Sequence, residues 1–267
     1  MHSGALGQIR LVKSWAYQGW MKPIPVLPDS EAPKEVDYNM WLGPAAKMPF
    51  NPNRFHFNFR WFWDYAGGLM TDWGVHLIDY ALYGMKAASP ISITATGGKF
   101  AYPNDASETP DTLQAIYEFS DFTLLWEHAT GIDGGNYGRN HGIAFIGNNG
   151  TLVLDRGGWE VIPEVEHEGW RRLTDKPKME AVPLQPSMNS GLNLHTSNFL
   201  EALKTGNPSM LKAPVEVGYH SARVCHMGNV AYKMGGKVYW DSESGRFKDP
   251  EANALALSHY HNGWSLD

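Results

Sequence analysis

Asp72, His76 and Asp79 stand at i, i+4 and i+7, the spacing that sets side chains along one face of an α-helix. An imidazole flanked by carboxylates is an acid–base unit. The carboxylates raise the histidine pKa and fix its tautomer, which suits a group that takes a proton from an alcohol while hydride leaves the same carbon. Gly67 and Gly68 come just before. Paired glycines at the mouth of a helix let the backbone approach a flat ligand, and a helix N-terminus favours negative charge, so the pair is a candidate for binding a cofactor. The same spacing also fits an ordinary solvated helix face. One histidine with two carboxylates could supply part of a metal site, but no second histidine lies at a recognised metal spacing, and no metal ligand is assigned.

Further residues could complete a pocket. Trp61, Trp63, Tyr65 and Trp73 bracket the glycines and could wall in a sugar ring, or could equally pack a sheet against a helix. Tyr137, Arg139, Asn140 and His141 stand in a glycine-rich loop before a strand, where side chains reach a ligand from a rigid frame. Of these, Tyr137, Arg139 and His141 are taken as substrate-binding candidates together with Asp79, Trp63, Tyr65 and Trp73. Lys13 is read as solvated. His195 shares a helical stripe with Phe199 and Ala202 and is read as partly buried. His220 and His226 are read as packing residues, and Cys225 as inert core.

These residues need elements to hold them. Gly7–Tyr17 and Arg54–Trp61 alternate in the manner of strands, while 22–53 is proline-rich and aperiodic, a surface excursion able to reach over a pocket. A helix is expected at about 68–84, which would carry the whole Asp/His group. Strands follow at Ile91–Thr96, Thr112–Phe119, Phe122–His128, Gly142–Ile146, Thr151–Asp155 and Trp159–Pro163, with Gly147-Asn148-Asn149-Gly150 as a hairpin turn. Helices are expected at Asn193–Thr205, Pro214–Met234 and from about Pro250, with a short strand at Lys237–Trp240. Strands joined by turns call for an antiparallel sheet, and the whole reads as an α+β domain, open-faced and mostly antiparallel, with helices on one side.

Composition narrows the function. With 267 residues, 43% hydrophobic, the chain can bury a large core. A net charge of −6 with no basic run argues against nucleic acid, and no run approaches the length of a membrane span. One cysteine excludes an internal disulfide. The chain is expected to be soluble, in cytoplasm or periplasm.

The string WFWDYAGGLMTDWGVHLID, residues 61–79, resembles the segment of the Gfo/Idh/MocA oxidoreductase family in which Gly-Gly precedes Asp-x-Gly-x-His-x-x-Asp. The resemblance continues in order through 141–159, 195–203 and 226–241. It implies that Asp72 and His76 are catalytic beside a lysine of another domain, with Asp79 in support. The implied fold is a Rossmann domain followed by a domain like the C-terminal half of glyceraldehyde-3-phosphate dehydrogenase, which binds substrate and builds oligomers through its sheet.

Residues 1–267 read as that second domain alone. No Gly-x-Gly-x-x-Gly follows a strand, and Asp175-Lys176-Pro177 only superficially resembles the family's Glu-Lys-Pro. The start, HSGALGQIR, is similar to the tail of a helix in the family, as in a shortened gene or a trimmed product. NAD or NADP is implied as cofactor, with none expected to bind this chain, and the implied substrate is a sugar, polyol or glycoside hydroxyl. Two other readings stay open: a non-enzymatic sugar-binding or assembly module, and a cofactor-independent lyase or hydrolase at the same Asp/His site.

Overall fold

Period-two burial is clearest in β3 (Thr112–Glu118), where Leu113, Ala115 and Tyr117 are buried while Gln114, Ile116 and Glu118 are exposed. The computed structural model describes residues 1–187, 191–257 and 259–266. Around β3 lie β1 (Ile9–Gln18), β2 (Ser92–Gly98), β4 (Thr123–Thr130), β5 (His141–Gly147), β6 (Gly150–Asp155) and β7 (Gly158–Pro163). A hairpin of β8 (Val165–Glu168) and β9 (Arg171–Pro177) stands apart as its own two-stranded sheet. The main sheet is completed by β10 (Val182–Pro186), β11 (Val238–Asp241) and β12 (Arg246–Phe247), in the order β10-β7-β6-β5-β1-β4-β3-β2-β11-β12. Neighbours pair antiparallel except β1 and β4, which run parallel. A parallel pair needs a long crossover, and the chain between these two strands carries the helices that bear the Asp/His group.

The helices are α1 (Tyr38–Leu42), α2 (Gly68–Asp72), α3 (Gly74–Met85), α4 (Gly191–Thr205), α5 (Val215–Met234) and α6 (Pro250–Ala256). Leu77, Ile78, Ala81 and Leu82 of α3 and Val224, Cys225, Met227 and Val230 of α5 bury against Val12, Leu113, Leu124 and Ile143 of the sheet. Each large side chain removed fully from water here contributes about 2 kcal/mol. The opposite sheet face carries a smaller cluster of Trp15, Ala144 and Val153. The fold is the expected α+β arrangement. Among the described residues no helix is long and apolar enough to cross a membrane.

Three departures from the sequence reading have physical causes. Residues 54–61 form no strand. His56 to Trp61 is a short 3-10 helix, entered with His56 in the left-handed region (φ 56°), and Arg60 stacks on Phe57 and Phe59, satisfying the alternation without a sheet partner. The helix expected at 68–84 is interrupted at Trp73, where the His76 N–H bonds to the Trp73 carbonyl in place of an i−4 acceptor. The third is α4, which buries only Ala202 of its own residues and leaves Phe199 and His195 exposed. The proline-rich 22–53 segment folds onto the body, its Trp41 against Tyr65 at 5.1 Å.

Candidate active site

His76 is the third residue of α3, its ring open to solvent on one side and free of side-chain hydrogen bonds among the described residues. Protein atoms on the other side strip water from it and hold its pKa below the ordinary imidazole value, and the positive charge of Arg156 adds to this. The carboxylates of Asp72 and Asp79 pull the other way and are outweighed. His76 is thereby kept neutral at pH 7, with a lone pair able to accept a proton.

Each carboxylate has its own partner. Asp72 Oδ1 accepts from Arg60 Nε at 2.9 Å, so Asp72 does not hold the His76 ring by a hydrogen bond. Both groups are about a third exposed, which makes the pair worth at most about 1 kcal/mol. Asp79 Oδ1 accepts from Ser221 Oγ at 2.6 Å and ties α3 to α5.

Trp73, standing at the helix break, is the hub. Its ring lies 6.2 Å from His76 and 4.7 Å from His141, centroid to centroid, with the Arg156 guanidinium 5.3 Å above it. His141 Nδ1 is 2.8 Å from Asn140 Oδ1, whereas its Nε2 is buried without a partner. Burial also depresses the His141 pKa, with Asp155 opposing and Arg156 reinforcing. Trp73, His76, His141 and Arg156 form one wall, with the His76 ring and His141 Nε2 left for a ligand. Arg156 and Arg60 were not singled out in the sequence: one enters from the β6–β7 turn and the other from the 3-10 helix, and neither sits near His76 in the chain.

The other expected pocket residues are engaged elsewhere. Arg139 is clamped by Glu160 at 2.6 Å, Asp155 at 3.3 Å and the Gly158 carbonyl at 3.1 Å, bracing the β6–β7 hairpin. Tyr137 packs its ring 5.8 Å from Trp15 on the open sheet face. Tyr65 packs with Trp61, Phe62 and Leu69, and burial pushes its hydroxyl pKa up. Trp63 carries Lys233 Nζ 3.9 Å above its ring, on the α5 side. Lys13, read as solvated, donates to Asn136 Oδ1 at 2.9 Å and lies 3.6 Å from Glu127.

The glycine pair is explained by packing. A Cβ on Gly67 would clash with Asn229 Nδ2, and one on Gly68 (φ 66°) would meet Thr109 Cβ at 2.7 Å. The Gly67 carbonyl is taken by Asn229 and its N–H by Thr71 Oγ1. This backbone presents no open cradle for a dinucleotide. Among the described residues no three His, Cys, Asp or Glu side chains gather as metal ligands would.

A family model described as the C-terminal alpha/beta domain of an oxidoreductase family matches residues 12–152, more than half of the chain. This chain belongs to the Gfo/Idh/MocA oxidoreductase family. Solved structures share its fold. A levoglucosan dehydrogenase in complex with NADH and L-sorbose is 17% identical with a TM-score of 0.55, the match covering 89% of this chain and 60% of that one. Aldose-aldose oxidoreductase from Caulobacter crescentus, complexed with glycerol, is 17% identical with a TM-score of 0.56 over 89% of this chain and 57% of that one. The WlbA dehydrogenase from Bordetella pertussis, with NADH and UDP-GlcNAcA, is 15% identical with a TM-score of 0.51 over 90% and 57%. At these identities the likeness is one of fold, and the chain spans less than two thirds of each of these proteins. No curated protein matches the chain.

Proposed function

We propose that this chain is the substrate-binding and catalytic half of an NAD(P)-dependent oxidoreductase acting on a sugar, polyol or glycoside hydroxyl. The carrying observation is His76: a ring open to solvent, free of side-chain hydrogen bonds among the described residues, and held neutral by desolvation and Arg156. In this reading His76 takes the proton of the substrate hydroxyl, Trp73 offers a flat wall to the sugar ring, and His141 Nε2 donates to or accepts from a second hydroxyl. Asp72, through its pair with Arg60, positions α2 and adds negative charge near the histidine.

The cofactor belongs to a nucleotide-binding domain outside this chain. Two features support a covering partner. Leu192, Phe199 and Leu203 recur at helical spacing along α4 and are all exposed, an apolar stripe that an isolated domain would not keep. On the open sheet face Leu11, Ile116 and Ile162 are exposed as well, which fits a second copy of the chain.

The test is a titration of wild type and His76→Ala with levoglucosan, glucose and myo-inositol, followed by tryptophan fluorescence. A binding site built around His76 loses about tenfold in affinity, the scale of one hydrogen bond left unmade. Unchanged affinity in His76→Ala would mean that aromatic stacking alone binds the sugar, as in a module without chemistry.

A further inference from the structure

A cavity of about 1020 Å³ runs along the outer face of α5, closed by the loop at 44–46 and the stretch after α6. None of Trp73, His76, His141 or Arg156 lines it. The α5 residues that do include Arg223, His226, Asn229 and Lys233, a single stripe of three- and four-residue steps. An aromatic ring stands at each end: Arg223 lies 5.4 Å from the centroid of Trp240, and Lys233 lies 3.9 Å from that of Trp63.

Three properties separate this stripe from a solvated helix face. Neither Arg223 nor Lys233 has a carboxylate within ion-pair distance among the described residues. Arg223 Nε is buried with no partner, although one terminal nitrogen reaches Ser89 and His220. Asn229 is 4% exposed and its Oδ1 is buried without a partner, while its Nδ2 is committed to the Gly67 carbonyl. A buried amide oxygen and a buried guanidinium N–H left unpaired beside a cavity are complementary to a ligand that donates at one point and carries negative charge at another.

We propose that this cavity binds a carbohydrate bearing a phosphate or carboxylate. A hydroxyl donates to Asn229 Oδ1, and the anionic group accepts from Arg223, which Trp240 backs. The six-residue step from Arg223 to Asn229 spans about 9 Å of helix, close to the length of a hexose phosphate. The site is separate from His76 and stands whether or not the catalytic reading does.

The full chain is titrated with glucose 6-phosphate and with glucuronate, glucose and inorganic phosphate serving as controls, with tryptophan fluorescence as readout. Saturable binding is expected for at least one of the two anionic sugars, and which one identifies the anionic group. Arg223→Gln weakens it about tenfold and His76→Ala leaves it unchanged. If Arg223→Gln fails to fold by circular dichroism, Lys233→Gln takes its place, with an expected loss of about threefold. The proposal is overturned by no saturation with either anionic sugar, by glucose or inorganic phosphate binding as tightly, by full binding in whichever of these two variants is read, or by loss in His76→Ala.

Discussion

The proton affinity of His76 is a contest among neighbours, and its outcome can be changed one side chain at a time. Arg156 lowers the pKa, so Arg156→Gln raises it toward the ordinary value, whereas Asp72→Asn lowers it further. Following the His76 Cε1 proton by NMR across pH 4 to 8 checks both directions, and a pKa indifferent to Arg156 contradicts the electrostatic account. At this scale much of the wall was legible: Trp73, His76 and His141 follow from residue type and local spacing. Arg60 and Arg156 were not, because what matters about them is a contact made across the fold. Arg139 and Tyr65 carried promising types, yet nearby carboxylates and aromatic packing engage them instead, which no local pattern reveals.

The elements translate those residues into geometry, and the glycine pair shows how. Gly68 combines a left-handed backbone with a Cβ position 2.7 Å from Thr109 Cβ. Gly68→Ala is expected to cost about 2–4 kcal/mol, from strain plus the clash, lowering the urea midpoint. A neutral substitution would show that Thr109 yields and that the close approach is incidental. The pair was legible as glycine-requiring but not in its reason, since Asn229 and Thr109 approach from elsewhere in the chain. Hairpins and long helices were read nearly to their ends because period and turn chemistry are local. The break at Trp73, the 3-10 turn before Trp61 and the polar strands β8, β9 and β10 were missed, each lacking a clean apolar period.

For the molecule as a whole, burial of imidazoles makes stability depend on pH. His128, fully buried between Trp126 Nε1 and the Pro110 carbonyl, has its pKa pushed down from 6.5 to about 4 by desolvation. The unfolded chain therefore binds a proton that the folded one refuses in that window. Stability is full above pH 6.5 and falls as pH drops toward 4, by about 3 kcal/mol, with His76, His141 and His226 acting in the same direction. Urea midpoints at pH 7.5, 6 and 5 measure the decline, and a flat profile contradicts it. At the same scale, the proposed function divides the labour between this domain, which keeps an exposed apolar stripe on α4, and a nucleotide-binding one. Titration of the purified chain with NADH, followed by calorimetry and by nicotinamide fluorescence, tests that division most directly. No saturable binding is predicted; saturation in the micromolar range would contradict it.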